Sequence, residues 1–252
     1  MSNTPSLTFS QWVSWLEQRH TMPQIAPGLE RTVSALKEAG LYEKNSAKHT
    51  IHIAGTNGKG TTAKALAHLI AATGATVGLY TSPHLVTTRE RLQVNSEMIS
   101  EEDFCSLCEK HLATIEKWNL THFESLTLMA LDYFLNIKKT QWMIFEIGLG
   151  GLWDATNAIH HSTSVLTTIG FDHMHILGNT LLEIAQNKFG IIQPQNLVIH
   201  SQYPPEVMTL LSSVVDQKQA RAVKVKNYPF TVTQKRIPEY ELQLENLTVP
   251  DR

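Results

Sequence analysis

The 252-residue chain reads as an α/β protein with a mostly parallel sheet and helices on both of its faces. Three observations predict this fold. Apolar, β-branched runs of strand length alternate with stretches of helical periodicity through residue 200. A glycine loop, Ala54-Gly55-Thr56-Asn57-Gly58-Lys59-Gly60-Thr61-Thr62, joins one such strand to the helix after it. Residues of unusual chemistry also recur just past the predicted strands, where open α/β sheets bind their ligands.

The elements follow in order. An opening helix carries Trp12, Trp15 and Leu16 on one face, and a second runs from about Leu29 to Ala39, with Leu29, Val33 and Leu36 inward, and stops at Gly40. Strands are expected near 50–53, 76–81, 142–147, 164–169 and 196–200, with helices over 59–73, 101–118, 124–138, 180–189 and 206–217. Helix 59–73 carries Leu66, Leu69 and Ile70 and is stopped by Gly74. Helix 101–118 opens Ser100-Glu101-Glu102-Asp103, where Ser100 caps and Asp103 completes a capping-box-like pattern. Its inner face is Phe104, Leu107, Cys108, Leu112 and Ile115, so Cys105 and Cys108 read as packing residues of a helix rather than a redox pair. Near the C-terminus, Tyr240 to Val249 alternates strictly and predicts a small antiparallel β edge.

Composition narrows the function classes. An apolar fraction of 42% with 17% charged residues suits a globular protein, and 21 basic against 23 acidic residues suggest neither a nucleic-acid surface nor an acidic-membrane surface. No apolar run is long enough to span a bilayer, and the polar start Met1 to Pro5 does not resemble a signal peptide, so a cytoplasmic location is expected.

Strand, glycine loop and helix form the arrangement a phosphate cradle requires. The loop N–H groups and the helix N-terminus face the anion, Lys59 neutralises the outer phosphates, and the hydroxyl of Thr61 or Thr62 can reach a metal. The spacing departs from the standard P-loop, because the loop is shorter and Gly60 stands between lysine and threonine. After strand 76–81 come Ser82, Pro83 and His84; the proline fixes a turn and Ser82 offers a hydroxyl near the phosphates. Strand 142–147 is apolar except for Glu146, whose carboxylate needs either a salt bridge or a Mg²⁺ ion on a triphosphate. His173 follows strand 164–169 as either a surface residue or a metal ligand. In helix 180–189 the stripe of Leu181, Ile184 and Ala185 continues into Lys188. That lysine either snorkels to water or, with its pKa lowered by burial, takes up CO₂ as a carbamate that ligates a second cation.

Together, Gly55 to Thr61, Thr81-Ser82-Pro83-His84-Leu85, Glu146 to Gly151 with Asp154-Ala155-Thr156-Asn157, and Asp172-His173 with Leu177-Gly178 resemble the folylpolyglutamate synthase/dihydrofolate synthase family of Mur-ligase-like ATP-dependent amide ligases. The resemblance runs in order from about residue 25 to 192. It implies a P-loop domain of the Mur-ligase central type, and an amide formed through an acyl phosphate between L-glutamate and the pterin-linked carboxylate of dihydropteroate or a folate. It places ATP on Gly55, Thr56, Asn57, Gly58, Lys59, Gly60 and Thr61, and magnesium on Ser82, Glu146 and His173. It also implies a carbamylated, metal-ligating Lys188, catalytic roles for Lys59, Lys188 and His173, and a monovalent cation as a further ion.

The pterin would lie near Ile25, Ala26, Pro27, Phe123, Glu124, Trp153, Asp154 and Ala155. Phe123 would stack on the ring, unless it only packs the core, and Glu124 or Asp154 would accept ring N–H groups. Three positions depart from the family: Leu152 stands where arginine is usual, Asn187-Lys188-Phe189 where a glutamate-lysine-alanine run is common, and Ala26 where some relatives have an acid.

Members of the family continue into a second α/β domain that binds glutamate. With no counterpart before Arg252, residues 1–252 are expected to be the ATP-binding domain alone, turning over poorly without closure to exclude water. Two other readings are a nucleotide- or pterin-binding module without ligase activity, and another Mur-type ligase acting on a cell-wall peptide. Gly60 and the Ser82-Pro83-His84 turn disfavour the latter.

Overall fold

A computed structural model describes residues 7–19, 28–44 and 49–226, and the backbone of 230–236 and 239–244. Strands β1 (His49–Ala54), β2 (Val77–Tyr80), β3 (Leu92–Val94), β4 (Glu97–Met98), β5 (Trp142–Glu146), β6 (Thr163–Leu166), β7 (Leu197–His200) and β8 (Arg221–Lys224) form one sheet, in the order β4-β3-β2-β5-β1-β6-β7-β8. All neighbours from β2 through β8 are parallel, and β3 and β4 add an antiparallel edge.

That edge lies at residues 92–98, where the sequence pattern gives no strand, because three- and two-residue strands are too short to carry a period. Near the C-terminus β9 (Phe230–Arg236) and β10 (Glu239–Leu244) pair antiparallel as a separate two-stranded sheet rather than as an edge of the main one. Residues 245–249 of the expected strand lie outside the described residues.

Strand alternation sends side chains to two faces. Ile51, Ile53, Val77, Leu79, Ile144 and Val165 meet α3 (Lys59–Ala71) through Ala63 and Ala67 on one face. On the other, Tyr80, Met143 and Phe145 pack against α1 (Phe9–Glu17), α2 (Glu30–Glu38), α4 (Glu101–Lys117) and α5 (His122–Asp132). Leu166 and Val198 on that face meet α7 (Leu181–Phe189) and α8 (Pro205–Gln217); α6 (Met174–Leu177) is a single turn before α7.

Details correct several expected positions. Leu69 is 67% exposed, since helix α3 rests on the sheet through its alanines. Ser100 caps α4 by accepting the Asp103 N–H, but the Asp103 carboxylate turns to Lys138 at 3.1 Å instead of closing a capping box. Cys108 is buried and both cysteines are free thiols; burial pushes both thiols up, so neither is activated. Among the described residues no helix is long and apolar enough to cross a membrane.

Register sets the level of the strand ends. Ile53 pairs with Glu146, Ala54 with Leu166 and Tyr80 with Phe145. Gly55, Ser82, Glu146 and Thr167 therefore leave the sheet side by side, at the point where the chain connections from β1 diverge.

Candidate active site

The loop after β1 is shaped by what surrounds it. Gly55 has φ +147°, and a Cβ there would stand 1.9 Å from Thr167 Oγ1. Gly58 caps helix α3 in the left-handed conformation, φ +82°. The far side of the loop is stapled to residues after β6: Thr56 N–H donates to the Thr168 carbonyl (2.7 Å), Asn57 N–H to Thr168 Oγ1 (2.9 Å), and Thr167 Oγ1 to the Asn57 carbonyl (2.8 Å). The Thr56 hydroxyl is held by both the N–H and the carbonyl of Gly170, each at 3.0 Å, so it serves the loop's shape. Lys59 folds over the loop and donates to the carbonyls of Gly55 (3.0 Å) and Thr56 (3.2 Å). Thr61 lies exposed in the first turn of α3.

Gly60, the departure from P-loop spacing, has a physical reason here. A Cβ at this position would come within 3.3 Å of both Glu146 carboxylate oxygens. The loop and the end of β5 thus approach closely, leaving little room for a side chain at residue 60, and the carboxylate faces the N-terminus of α3. Ser82 N–H donates to Glu146 Oε2 at 3.1 Å. Burial raises the Glu146 pKa, while Ser82, Lys59, Lys64 and Arg91 pull it back. The Ser82–Pro83 peptide bond is cis.

The donor set passes a test for a hard cation. Glu146 is a buried carboxylate with a single N–H partner, and the adjacent Ser82 hydroxyl makes no hydrogen bond among the described residues. Two such oxygens suit magnesium completed by phosphate oxygens and water. Among the described residues no three His, Cys, Asp or Glu side chains converge on one point. His173, in the left-handed conformation at φ 45°, has a half-exposed ring 3.5 Å from Asp172 and makes no hydrogen bond to Ser82 or Glu146.

Lys188 is only 2% exposed and donates to the Gly55 carbonyl at 3.1 Å, the same oxygen that Lys59 contacts. Burial, and then the Lys59 charge, push its amine down to about 8. The inward stripe of α7 therefore does end on a buried lysine beside the phosphate loop.

A cavity of about 450 Å³ opens beside this cluster, lined by Ser82, Pro83 and Arg91 together with Phe123, Glu124, Trp153, Asp154 and Ala155. Phe123 presses on the Gly148 backbone, where a Cβ would lie 2.7 Å from the ring, and tilts against Tyr80 at 5.7 Å. Trp153 stands 45% exposed at the mouth. Both carboxylates in this wall are largely spent on the protein. Glu124 accepts from Thr121 N–H in a capping box, from Arg31 at 2.9 Å and from Thr32 at 3.4 Å. Asp154 accepts from the N–H groups of Leu149 and Thr156 and from the Thr156 hydroxyl, although burial pushes its pKa up. Ile25, Ala26 and Pro27 lie outside the described residues.

Leu152 packs on Gly190, and Asn187 enters the cavity wall against Gly150. Sequence reasoning missed Arg31 and Arg91, which sit in ordinary hydrophilic stretches and gain meaning only from the cavity they line.

No protein-family model matches the chain. It is 36% identical over 213 residues, 82% of this chain and 49% of the relative, to dihydrofolate synthase/folylpolyglutamate synthase of Bacillus subtilis. The apo form of L. casei FPGS superposes with a TM-score of 0.83 at 27% identity, covering 94% of this chain and 58% of that one. An FPGS–AMPPCP–folate complex gives a TM-score of 0.79 at 27% identity, over 95% and 59%. The chain spans about half the length of the curated relatives it matches.

Proposed function

The chain belongs to the dihydrofolate synthase/folylpolyglutamate synthase family, and from that membership we propose that it serves ATP-dependent joining of L-glutamate to the carboxylate of dihydropteroate or a folate. The observation that carries this reading is one cavity lined both by Ser82, whose N–H holds the Glu146 carboxylate, and by the aromatic ring of Phe123. A flat ring on Phe123 would direct an attached carboxylate toward the strand ends.

The chemistry follows from this placement. ATP would lie with its outer phosphates on the N–H groups of residues 55–61 and the N-terminus of α3, drawing Lys59 from the loop carbonyls. The substrate carboxylate attacks the γ-phosphorus, the bond to the β,γ-bridging oxygen breaks, and ADP leaves an acyl phosphate. The glutamate amine then attacks the acyl carbon, phosphate departs, and the ammonium proton is released. Glu146 and the Ser82 hydroxyl would hold magnesium, which supplies charge neutralisation on the phosphoryl group. The chain's own part is in-line positioning, with the loop stapled on its far side to residues 167–170 keeping the phosphates in one place.

Lys188 extends the reading. A buried amine with a lowered pKa, crowded by Lys59, favours reaction of its neutral form with CO₂, giving an N-carboxylate and a proton and replacing a like-charge pair by an opposite one. Native mass spectrometry in bicarbonate is expected to find the added mass of CO₂, lost in Lys188→Ala; its absence from the native protein refutes the carbamate.

The ligase reading is tested by incubating the protein with ATP, magnesium, L-glutamate and either 7,8-dihydropteroate or tetrahydrofolate. ADP release that depends on the pterin, with glutamylated product, is expected. ADP release indifferent to the pterin, or tight ATP binding with neither ADP nor product, contradicts it.

A further inference from the structure

The cavity wall holds four charged side chains, Arg31, Arg91, Glu124 and Asp154, and three of them are accounted for. Arg31 pairs with Glu124, and Asp154 is surrounded by the N–H and hydroxyl donors of its own turn. Arg91 has no acidic partner at ion-pair distance among the described residues. Its Nε donates to His84 Nδ1 at 2.9 Å, which orients the guanidinium and leaves both Nη groups without a hydrogen-bond partner among the described residues. Arginine keeps its charge at any working pH, and a bare guanidinium in a largely apolar wall favours an anion.

The position of Arg91 says which anion. Thr81 N–H donates to the Arg91 carbonyl at 3.0 Å, so residue 91 lies beside the end of β2, next to Ser82. His122, on the first turn of α5, is pushed down to about 4 by burial and then by the Arg91 charge, and its Nε2 is buried without a partner among the described residues. Arg91 is thus the positive charge beside Ser82, and Glu146, the nearby acid, is turned toward Gly60 and Ser82.

We propose that Arg91 binds the substrate carboxylate that becomes phosphorylated, and that His84 is the positioning residue that fixes the guanidinium fork. The proposal rests on the ligase reading above. A carboxylate presents two oxygens to the two free Nη groups, a bidentate match that a single ammonium cannot make. The fork holds the nucleophilic oxygens beside Ser82 while the ring lies on Phe123, and its positive charge offsets their repulsion from the γ-phosphate.

The test is a pair of fluorescence titrations, with 7,8-dihydropteroate and with its analogue carrying a methyl group in place of the benzoate carboxylate. Wild type is expected to favour the acid by roughly tenfold or more. Arg91→Gln should bring the ratio close to one by weakening the acid alone, and Arg91→Lys and His84→Ala should give intermediate ratios. If Arg91→Gln does not fold, as read by circular dichroism, the two intermediate variants decide by the same ratio. A wild-type ratio near one, or variants that keep the wild-type ratio, overturns the proposal and leaves the ligase reading standing. A wild type that takes neither pterin overturns the ligase reading and the proposal together.

Discussion

Gly55→Ala is expected to destabilise the protein by about 3 kcal/mol or more and to remove nucleotide binding, because two independent costs fall on one atom. The new Cβ would stand 1.9 Å from Thr167 Oγ1 and 3.1 Å from the Thr168 N, and φ +147° is a conformation that alanine rarely adopts. Relief requires Thr167 to move, which breaks its bond to the Asn57 carbonyl and unfastens the loop from β6. It also shifts the Gly55 carbonyl that receives both Lys59 and Lys188. Gly58→Ala is the control, with φ +82° but open space around the added atom, and should cost only about 1–2 kcal/mol. Thermal unfolding and AMPPCP titration of the two variants check this. A Gly55→Ala protein with wild-type Tm and affinity would show that the loop is not held as described.

Acidification is expected to weaken the fold well before the carboxylates of the surface titrate. His52 on β1 is wholly buried with neither ring nitrogen partnered among the described residues, and it stacks on His161 at 3.9 Å with an interplanar angle of 12°. Burial holds His52 well below its ordinary value and His161 at about 4, with the neighbouring imidazole adding to the effect on His52. In the unfolded chain both titrate near 6.5, so the unfolded state binds more protons below that pH. The stability they contribute is complete above about pH 6.5 and is lost as pH falls from there through the folded value. For His161 alone the loss between pH 7.5 and 5 is about 2 kcal/mol. Glu146 and Asp154, whose values are raised by burial, bind protons more readily when folded and oppose the loss in part. Denaturation midpoints at the two pH values should differ in wild type and differ less in His52→Leu. Equal wild-type midpoints, or an unchanged difference in the variant, would remove the imidazole pair as the cause.

Much of the layout was legible because α/β sheets put their chemistry at strand ends, and each end has a local signature. The glycine loop, Ser82-Pro83 and Glu146 could be found one strand at a time, Asp154 came only with the family resemblance, and helical spacing alone placed Lys188 inward. What stayed hidden depends on contacts between distant segments. The His52–His161 stack joins residues on β1 and before β6, which no periodicity links. The edge strands β3 and β4 are too short to show alternation. Arg91, within Thr88-Arg89-Glu90-Arg91, reads as one more surface charge until its unmatched place in the cavity is seen. Gly60 marked a departure from P-loop spacing, but its reason, the approach of the Glu146 carboxylate, is a distance rather than a pattern. Glu124 offered the reverse lesson: a carboxylate at the right place whose acceptors a capping box and Arg31 already occupy.

The central claim is that the ends of β1, β2 and β5 form one metal–nucleotide site, and calorimetric titration of AMPPCP with and without magnesium tests it most directly. Wild type should bind at least about tenfold more tightly with magnesium. Glu146→Gln should keep the metal-free affinity and lose that gain, while Lys59→Ala should lose binding under both conditions. A magnesium effect that survives Glu146→Gln, or AMPPCP affinity unchanged in Lys59→Ala, would contradict the account.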